Sequence, residues 1–391
     1  MKRFAVLDSF RGCCAIAVMI YHSHAMFTFT ETRFFRSADY FVEFFFILSG
    51  FVLTHTYTQR LKSTGQLRDF IVSRFFRLYP LHALMLVVFI GLEALKMAAE
   101  RHGVFFANAS FTGARAPSEI IPNLLLIQSW WPGFNAMSFN FPAWSISVEF
   151  YLYLLFGATT LWLPGRTRWV ALSILALSLL ALITHNTEVT VYSLKGLSGF
   201  FAGQLAYLIY QRLQAMKMSY WLATLLEVSA LAAIYCVMTY LGGSRDLVLL
   251  PLFCLTVFIY AFEAGALSVW LRHAVFERLG TLSFSIYMIH ASVLFVIPVV
   301  LSVYAQRYGV NLLTDQVEVA SGTLFRYIDT GSVALNTLLV VIPMFITLGL
   351  AELSYRFVEL PGIAVGKRLG RSRREAAAVA DPILPESPLG K

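Results

Sequence analysis

The sequence predicts an all-α polytopic membrane protein with about ten transmembrane helices and with both termini in the cytoplasm. Hydrophobic residues make up 58% of the 391 residues, and charged residues make up only 13%. A soluble protein typically has about 25% charged residues. Apolar runs recur along the chain, and a membrane-spanning helix needs about 20 such residues. These runs account for most of the length, so no separate soluble domain is expected.

Ten apolar runs are assigned as membrane-spanning helices. The run at 168–184 is barely long enough to cross the hydrocarbon core. The predicted spans are 4–27, 39–59, 76–98, 143–163, 168–184, 191–210, 220–241, 246–263, 282–304 and 333–357.

Most of the 30 basic residues fall in one alternating set of loops between these spans. Cytoplasmic loops of membrane proteins are enriched in Lys and Arg, so the N-terminus is predicted to be cytoplasmic. Ten spans then return the C-terminus to the same side. A basic inner face next to anionic lipids also explains the net charge of +8, and nucleic-acid binding is not expected. We predict a membrane domain over 1–362 and a short disordered cytoplasmic tail over 363–391.

The first predicted span carries charged and titratable residues that a lipid-facing helix would avoid. Arg11 and His22 are eleven residues apart, which gives a rise of about 16.5 Å and a rotation of about 20° beyond three full turns. The two side chains therefore share one helix face, with Arg11 near the cytoplasmic surface and His22 beyond mid-membrane. His24 is turned about 200° from His22. Arg11 alone could extend to lipid head groups, whereas the pair indicates a functional face.

Two further charged motifs belong with this pair. Glu43 lies at the outer end of the second span, at about the depth of His22. We expect it to accept a hydrogen bond from the imidazole and to raise its basicity, as in general-base pairs. On the inner side, Arg74 and Arg77 of RFFRLYP share a helix face. With Arg11 they could bind an anionic ligand such as a phosphate, although basic residues at an inner membrane face are also common.

Other polar and aromatic residues lie where later spans begin or end, in FPAWSISVEFYLYL, SFSIYMIH and SYRFVELPG. The outer segment 98–142 carries Trp130 and Trp131, and with Trp144 these rings could pack on a sugar face or anchor the chain at the interface. The four cysteines have no metal-ligand spacing, and no metal site is predicted. The candidate supporting residues are Trp144, Ser145, Glu149, Tyr287, His290 and Glu359.

Together these motifs resemble acyltransferase family 3, a family of integral membrane O-acyltransferases, over about residues 4 to 362. The matching stretches, in order, are LDSFRGCCAIAVMIYH, VEFFFILSGF, RFFRLYP, PAWSISVEFYLY, SFSIYMIH and YRFVELP. The resemblance implies transfer of an acyl group, usually acetyl from acetyl-CoA, to a sugar hydroxyl of a cell-envelope or exported glycan. It also implies that His22 is the essential histidine and that Arg11, Arg74 and Arg77 belong to the donor side. Position 43 is Glu where the family commonly has Asp.

Residues and resemblance lead to one hypothesis, a multi-pass O-acyltransferase of the bacterial inner membrane. Acetyl-CoA or another acyl-CoA would be the co-substrate, and a glycan or lipid-linked sugar would be the acceptor. His22, supported by Glu43, would either deprotonate a sugar hydroxyl or briefly carry the acyl group. One alternative is a transporter in which Arg11, His22 and Glu43 form a proton or substrate path, although no paired interrupted spans are visible. Another is a non-catalytic subunit of a polysaccharide export system. The oligomeric state is left open.

Overall fold

The protein is an all-α membrane protein with a single small β-hairpin in its described part. The computed structural model describes residues 3–106, 108–243, 245–317 and 324–380, and for 371–380 it describes the backbone alone. The helices are α1 (Ala5–Tyr21), α2 (Phe41–Tyr57), α3 (Thr64–Arg101), α4 (Ile120–Leu124), α5 (Ala143–Trp162), α6 (Thr167–Ile183), α7 (Val191–Leu213), α8 (Tyr220–Tyr240), α9 (Arg245–Tyr260), α10 (Ala266–Leu271), α11 (Ala274–Tyr308), α12 (Val333–Ser354) and α13 (Leu360–Ala380). The two strands are β1 (Leu313–Val317) and β2 (Leu324–Ile328).

Within the described ranges, 5 helical segments are long and apolar enough to cross a membrane, and the apolar α6 is shorter. Each of the predicted spans overlaps one long helix. The largest difference is at α3, a helix of 38 residues that begins at Thr64 rather than near 76. Ser63 caps it by accepting a hydrogen bond from the backbone N–H of Gln66 at 3.3 Å. Arg74 and Arg77 therefore lie inside this helix and not at its start. The long apolar segments are Phe35–Tyr57, Thr64–Arg101, Tyr220–Tyr240, Ala274–Tyr308 and Val333–Gly370.

Helices α1 and α2 lie at the centre of the bundle, because each contributes buried side chains to two separate apolar clusters. On α1, Ala15 and Val18 join the cluster formed mainly by α3, α5 and α11. Phe10 and Cys14 of the same helix join the cluster formed mainly by α2, α7, α8 and α9. A helix that is apolar on all sides is typically buried in this way. Polar residues on α1 and α2 are consequently enclosed by other helices.

The contact between α1 and α11 brings two helix backbones together at glycines. A methyl group on Gly12 would lie 2.5 Å from the backbone nitrogen of Gly280. A methyl group on Gly280 would overlap the backbone carbonyl of Asp8. Small residues at helix interfaces in membranes permit this close approach. The position of α1 relative to α11 is therefore fixed along its length.

A β-hairpin, which the apolar pattern did not predict, closes the end of the bundle at which α1 terminates. Strands β1 and β2 pair antiparallel, with Leu313 opposite Ile328. Ile328 donates its N–H to the carbonyl of His24 at 3.0 Å, and its carbonyl accepts the N–H of Met26 at 2.9 Å. The short strands have no long apolar run of their own, so span prediction passes over them. We call this end of the bundle the hairpin end, and the end at which Phe4 contacts His55 the basic end.

The predicted disordered tail over 363–391 does not hold for its first part, because α13 is helical from Leu360 to Ala380. Gly362 and Gly366 recur one turn apart and face α3, where a methyl group on either would press against Phe76. The shallow glycine face lets this basic helix lie directly on α3. Residues 381–391 lie outside the described residues.

We predict that Gly280→Ala destabilises the protein although alanine favours helix formation. The added methyl group would overlap the α1 backbone, and overpacking typically costs about 1–3 kcal/mol. The midpoint of thermal unfolding in detergent should therefore fall. Gly349→Ala is the matched control, since Gly349 is also helical but has open space around it, and there alanine should be neutral or stabilise by up to about 1 kcal/mol. Equal midpoints for the two variants would argue against a close α1–α11 contact.

Candidate active site

The essential histidine predicted from the first span, His22, lies at the end of α1 and meets a second histidine. Its ring contacts the ring of Phe141 with centroids 4.4 Å apart and the ring of His290 at 5.2 Å. His22 Nδ1 lies 2.9 Å from the carbonyl oxygen of Val18 and 3.3 Å from Nε2 of His290. His290 is fully buried on α11, whereas His22 is only partly buried. The structure thus pairs two residues that lie in separate sequence motifs.

The prediction that Glu43 accepts a hydrogen bond from His22 is wrong. Glu43 is 6% exposed, and its carboxylate lies 2.8 Å from Nζ of Lys195 on α7. Lys195 also forms an ion pair with Asp246 at the start of α9, at 2.5 Å. Among the described residues, no hydrogen bond joins Glu43 to His22. A lysine on α7 therefore satisfies the buried carboxylate, which depth along the helix alone does not predict.

The ion pairs of Lys195 border a cavity of about 300 Å³ between α6, α7 and α9. Its walls combine these charged groups with apolar side chains such as Leu182 and Leu250. Lys195 is the residue that the span analysis missed, although a lone cation inside the predicted span 191–210 is itself a signal of a buried partner.

A second cavity, the Arg11 cavity, lies on the other side of α2 and joins several candidate residues. It has a volume of about 40 Å³ and lies between α1, α2, α5 and α11. The cavity walls are largely aromatic and aliphatic, and Tyr287 is near its histidine-facing limit, with its ring centroid 5.8 Å from that of His290. Ser145 Oγ lies 3.0 Å from the Tyr287 hydroxyl. The lining residues are Arg11, Val42, Phe45, Phe46, Ser145, Ile146, Glu149, Ser283, Phe284 and Tyr287.

Two carboxylates lie among the arginines of the candidate donor site. Arg77 interacts electrostatically with Glu359 and Glu149, and Arg11 interacts with Glu359. Ser285 donates a hydrogen bond to Glu359 at 3.0 Å, and Glu359 is 3% exposed. These carboxylates offset part of the charge that the guanidinium groups bring into an apolar bundle.

The third arginine, Arg74, lies among aromatic rings on the same side. Its guanidinium carbon is 5.2 Å from the ring centroid of Tyr57 and 5.8 Å from that of Tyr153. Its Nη2 donates to the Tyr57 hydroxyl at 2.8 Å, while its buried Nε has no hydrogen-bond partner in the described part of the chain. Tyr153 also interacts electrostatically with Arg11 and with Arg74, and donates a hydrogen bond to Glu149. The three predicted arginines are therefore brought together around one tyrosine.

Hydrogen bonds also anchor Glu149, which accepts from Ser49 of α2 at 2.7 Å. The tryptophans differ in environment. Trp144 packs between Phe46 and Tyr192, with centroids 5.9 and 5.0 Å away, whereas Trp131 is 64% exposed. Only the exposed ring is free to meet a ligand or the membrane interface.

Arg36, which the sequence analysis did not single out, lies beside His22 and holds the end of α1. Its Nη2 donates to the carbonyl of Tyr21 and, at 3.3 Å, to that of Ile20. Its Nη1 lies 2.7 Å from Nδ1 of His24, which stacks on Phe325 of the hairpin. A cation at a helix C-terminus binds carbonyls that have no partner within the helix. His24 is therefore engaged by Arg36 and the hairpin, outside α1 and apart from the histidine pair.

Within the described ranges, no group of three or more His, Cys, Asp or Glu side chains is arranged to hold a metal ion. The candidate site thus has the imidazole of His22 at one end and guanidinium groups at the other, with the Arg11 cavity between them. This arrangement suits a membrane transferase with an anionic donor.

Comparison with known proteins identifies the transferase class. A family model described as "Acyltransferase domain" matches residues 4–355, and the chain belongs to this acyltransferase family. The resemblance to acyltransferase family 3 is thereby confirmed, and the protein is a membrane acyltransferase.

Individual relatives differ in how much of the chain they share. The chain is 27% identical to acyltransferase MdmB of Streptomyces mycarofaciens over 371 residues, which cover 89% of this chain and 85% of that protein. It is 29% identical to the peptidoglycan O-acetyltransferase OatA of Listeria monocytogenes over 163 residues, which cover 39% of this chain and 23% of that protein. An 88-residue stretch is 40% identical to protein 2 in the picA locus of Rhizobium radiobacter, covering 22% of this chain and 44% of that protein. No solved structure matches the chain.

We predict that Lys195→Met destabilises the protein by about 3 kcal/mol, because it leaves the buried Glu43 without its cation. The midpoint of thermal unfolding in detergent should fall. Adding Glu43→Gln to the same chain should recover part of the loss, as a double-mutant cycle would show. Lys217→Met, at an exposed lysine, is the control and should leave the midpoint unchanged. Independent, additive effects of the two substitutions would contradict the ion pair.

Proposed function

We propose that the protein is an O-acyltransferase of the bacterial inner membrane that moves an acetyl group from cytoplasmic acetyl-CoA to a hydroxyl of an exported or cell-surface glycan. The family supports acyl transfer, and the name of the Listeria relative supports acetyl transfer to the oxygen of a glycan. The observation that carries the proposal is the Arg11 cavity. It runs from Arg11 to Tyr287, which contacts the buried histidine partner of His22.

The proposed topology has ten crossings, made by α1, α2, α3, α5 to α9, α11 and α12. Both the N-terminus and α13 then lie on the cytoplasmic side, where the Lys and Arg residues collect. The basic end of the bundle is accordingly cytoplasmic, and the hairpin end is on the outer side. This orientation places the arginines where CoA is available and His22 toward the glycan.

On the donor side, the phosphates of CoA would bind Arg74 and Arg77 with help from Arg11. Three guanidinium groups face the carboxylates Glu149 and Glu359, and the further carboxylate near Arg77, Asp8, is paired with Arg3 at 2.9 Å, so the group retains a net positive charge. Guanidinium groups suit phosphate because they form paired hydrogen bonds. The pantetheine arm, which is long and mostly uncharged, would extend along the Arg11 cavity toward His22, and the side chains that line the cavity would have to separate to admit it.

On the acceptor side, His22 acts as the base or as the acyl carrier. As base, its imidazole takes the proton of a sugar hydroxyl while the oxygen attacks the thioester carbonyl carbon. The carbon–sulfur bond then breaks, and the thiolate of CoA takes the proton back from His22. General acid–base catalysis of this kind contributes typically about 10²–10⁴ in rate. As carrier, the imidazole attacks the thioester carbonyl carbon, the carbon–sulfur bond breaks and CoA leaves as its thiolate. The sugar hydroxyl oxygen then attacks the acyl-imidazole, the carbon–nitrogen bond breaks to free His22, and the hydroxyl proton passes to the thiolate.

The remaining candidate residues support this path. Ser145 and Tyr287 would orient the thioester end of the donor, and Glu149 and Glu359 would hold the arginines in place. The exposed Trp131 offers a flat surface for a sugar face. Trp144 is packed between two rings and supports the wall of the cavity. Glu43 acts through Lys195 to fix α2, and family membership favours the enzyme over the transporter and scaffold alternatives.

We predict that His22→Ala reduces acyl transfer at least about a hundredfold, because it removes the imidazole that acts as base or acyl carrier in this proposal. Transfer is measured as radiolabel passing from [¹⁴C-acetyl]-CoA to glycan in membranes of the native host lacking the chromosomal copy. Protein levels in the membrane should be unchanged. His102→Ala, at an exposed histidine, is the control and should transfer normally. Undiminished transfer by the His22 variant would overturn the assignment.

We predict that Arg77→Gln raises the KM for acetyl-CoA about tenfold, the loss expected for one charge-assisted contact. The KM for acetyl-pantetheine, which has no phosphate, should change much less. This difference separates phosphate binding from a general distortion of the site. Arg212→Gln, at an exposed arginine on the proposed cytoplasmic side, is the matched control. An equal rise for both donors would place Arg77 outside phosphate recognition.

A further inference from the structure

We propose that His290 is a positioning residue that fixes the tautomer of His22, so that Nε2 of His22 carries the reactive lone pair. The inference rests on the proposed function, in which His22 acts as base or acyl carrier. It concerns how the imidazole is prepared for that role without the carboxylate partner that the sequence predicted.

Two neighbours of Nδ1 set the tautomer of His22, namely the Val18 carbonyl and Nε2 of His290. Nδ1 lies 2.9 Å from the carbonyl oxygen of Val18, and a carbonyl oxygen can only accept a hydrogen bond. A favourable contact therefore requires the proton of the neutral imidazole to be on Nδ1. Nε2 is then unprotonated and is the nitrogen that can take a proton or an acyl group.

The tautomer of His290 follows from that of His22. Its Nε2 lies 3.3 Å from the same protonated Nδ1, so it must be the acceptor and must itself be unprotonated. His290 then carries its own proton on Nδ1, a buried nitrogen that faces the backbone carbonyls of Ile286 and Tyr287 one helical turn earlier. Both rings are consequently held in the Nδ1–H form by one shared contact.

His290 adds something that Val18 alone does not supply. The Val18 carbonyl already accepts the backbone N–H of His22 at 3.2 Å, so it is shared between two donors. Nε2 of His290, in contrast, accepts only from the imidazole of His22. When His22 takes a proton at Nε2, the positive charge remains adjacent to this second acceptor, which is neutral. A neutral partner orients the ring without placing a further charge in the membrane.

The surrounding aromatic rings fix His290 in turn. Phe141 lies against both imidazoles, with its centroid 4.4 Å from His22 and 5.6 Å from His290. Tyr287 packs against His290 one helical turn earlier and is itself held near Ser145. The ring of His290 therefore has one position available, which is the property a positioning residue needs.

The test reads the tautomer directly by ¹⁵N NMR of the full-length protein, labelled at histidine and reconstituted in phosphatidylcholine nanodiscs. The signals of His22 are identified by their loss in His22→Gln. Expected in the unmodified protein is a protonated Nδ1 and an unprotonated Nε2 for His22. In His290→Phe, which keeps a ring but removes the acceptor, a population with protonated Nε2 should appear. If His290 has no role in setting the tautomer, no such population appears. An unchanged spectrum would therefore overturn the proposal, and so would a protonated Nε2 of His22 in the unmodified protein.

The control is another buried histidine, His82 of α3, whose Nε2 lies 2.9 Å from the carbonyl of Asn123. His82→Phe should leave the His22 signals unchanged. A change equal to that in His290→Phe would show general distortion and would overturn a specific role for His290.

A kinetic measurement supplies the second readout. His290→Phe should lower kcat about tenfold to a hundredfold with the KM for acetyl-CoA unchanged. His290→Gln should restore most of the rate, because its amide oxygen can accept from Nδ1 of His22. Equal rates for the two variants would overturn the proposal. The NMR experiment needs neither donor nor acceptor, so absent acyl transfer with the expected tautomers would defeat the proposed function alone.

Discussion

The site depends on the contact of the α1 and α11 backbones at Gly12 and Gly280. Two helices that touch at this point run side by side, and polar residues on their facing sides come close to one another. This contact brings His22 to His290 and places Arg11 in the same cavity wall as Ser283 and Tyr287 of α11. Side chains of ordinary size at the glycine positions would hold the helices farther apart. The separation of the imidazoles is thus set by residues well away from them.

Charge inside the bundle is arranged in small groups that are nearly balanced. Arg77 has Glu359 and Glu149 near it, and Lys195 lies between Glu43 and Asp246. An unpaired charge is costly in an apolar medium, whereas a paired one is tolerable. The two groups differ in the sign of their net charge. The arginines outnumber their carboxylates, whereas Lys195 is a single cation between two carboxylates. The first group suits an anionic donor, while the second joins α2 to α7 and α9.

What the sequence predicts well is local. The common face of Arg11 and His22 is a prediction from helix geometry over eleven residues, and in the structure Arg11 lies within α1 while His22 is the residue directly after its last turn. The positions of the long helices follow from apolar runs, because a buried span needs them whatever its neighbours are. The sequence also predicts that Arg74 and Arg77 lie close to Arg11, but only under the hypothesis that the three basic residues bind one ligand.

What the sequence does not predict is the rotation of each helix about its own axis relative to distant neighbours. Glu43 lies in the first turn of α2 and pairs with Lys195, which lies far along the chain, and so it is not hydrogen-bonded to His22. His290 takes the place beside His22 because α11 packs on α1. The β-hairpin leaves no mark in a hydropathy pattern, since its strands are short and half polar. Such features depend on packing between segments rather than on the composition of one segment.

The docking of α13 on α3 has a consequence for the donor side. Gly362 and Gly366 rest on Phe76, which lies between Arg74 and Arg77 in the sequence. The last described helix, α13, therefore packs against the part of α3 that carries these arginines. The π-helical segment Tyr355–Glu359 joins it to α12. Packing of α13 therefore stabilises the part of α3 that carries two of the three candidate arginines. The polar, basic sequence of this helix alone predicts a tail without contacts, whereas the structure makes it part of the bundle.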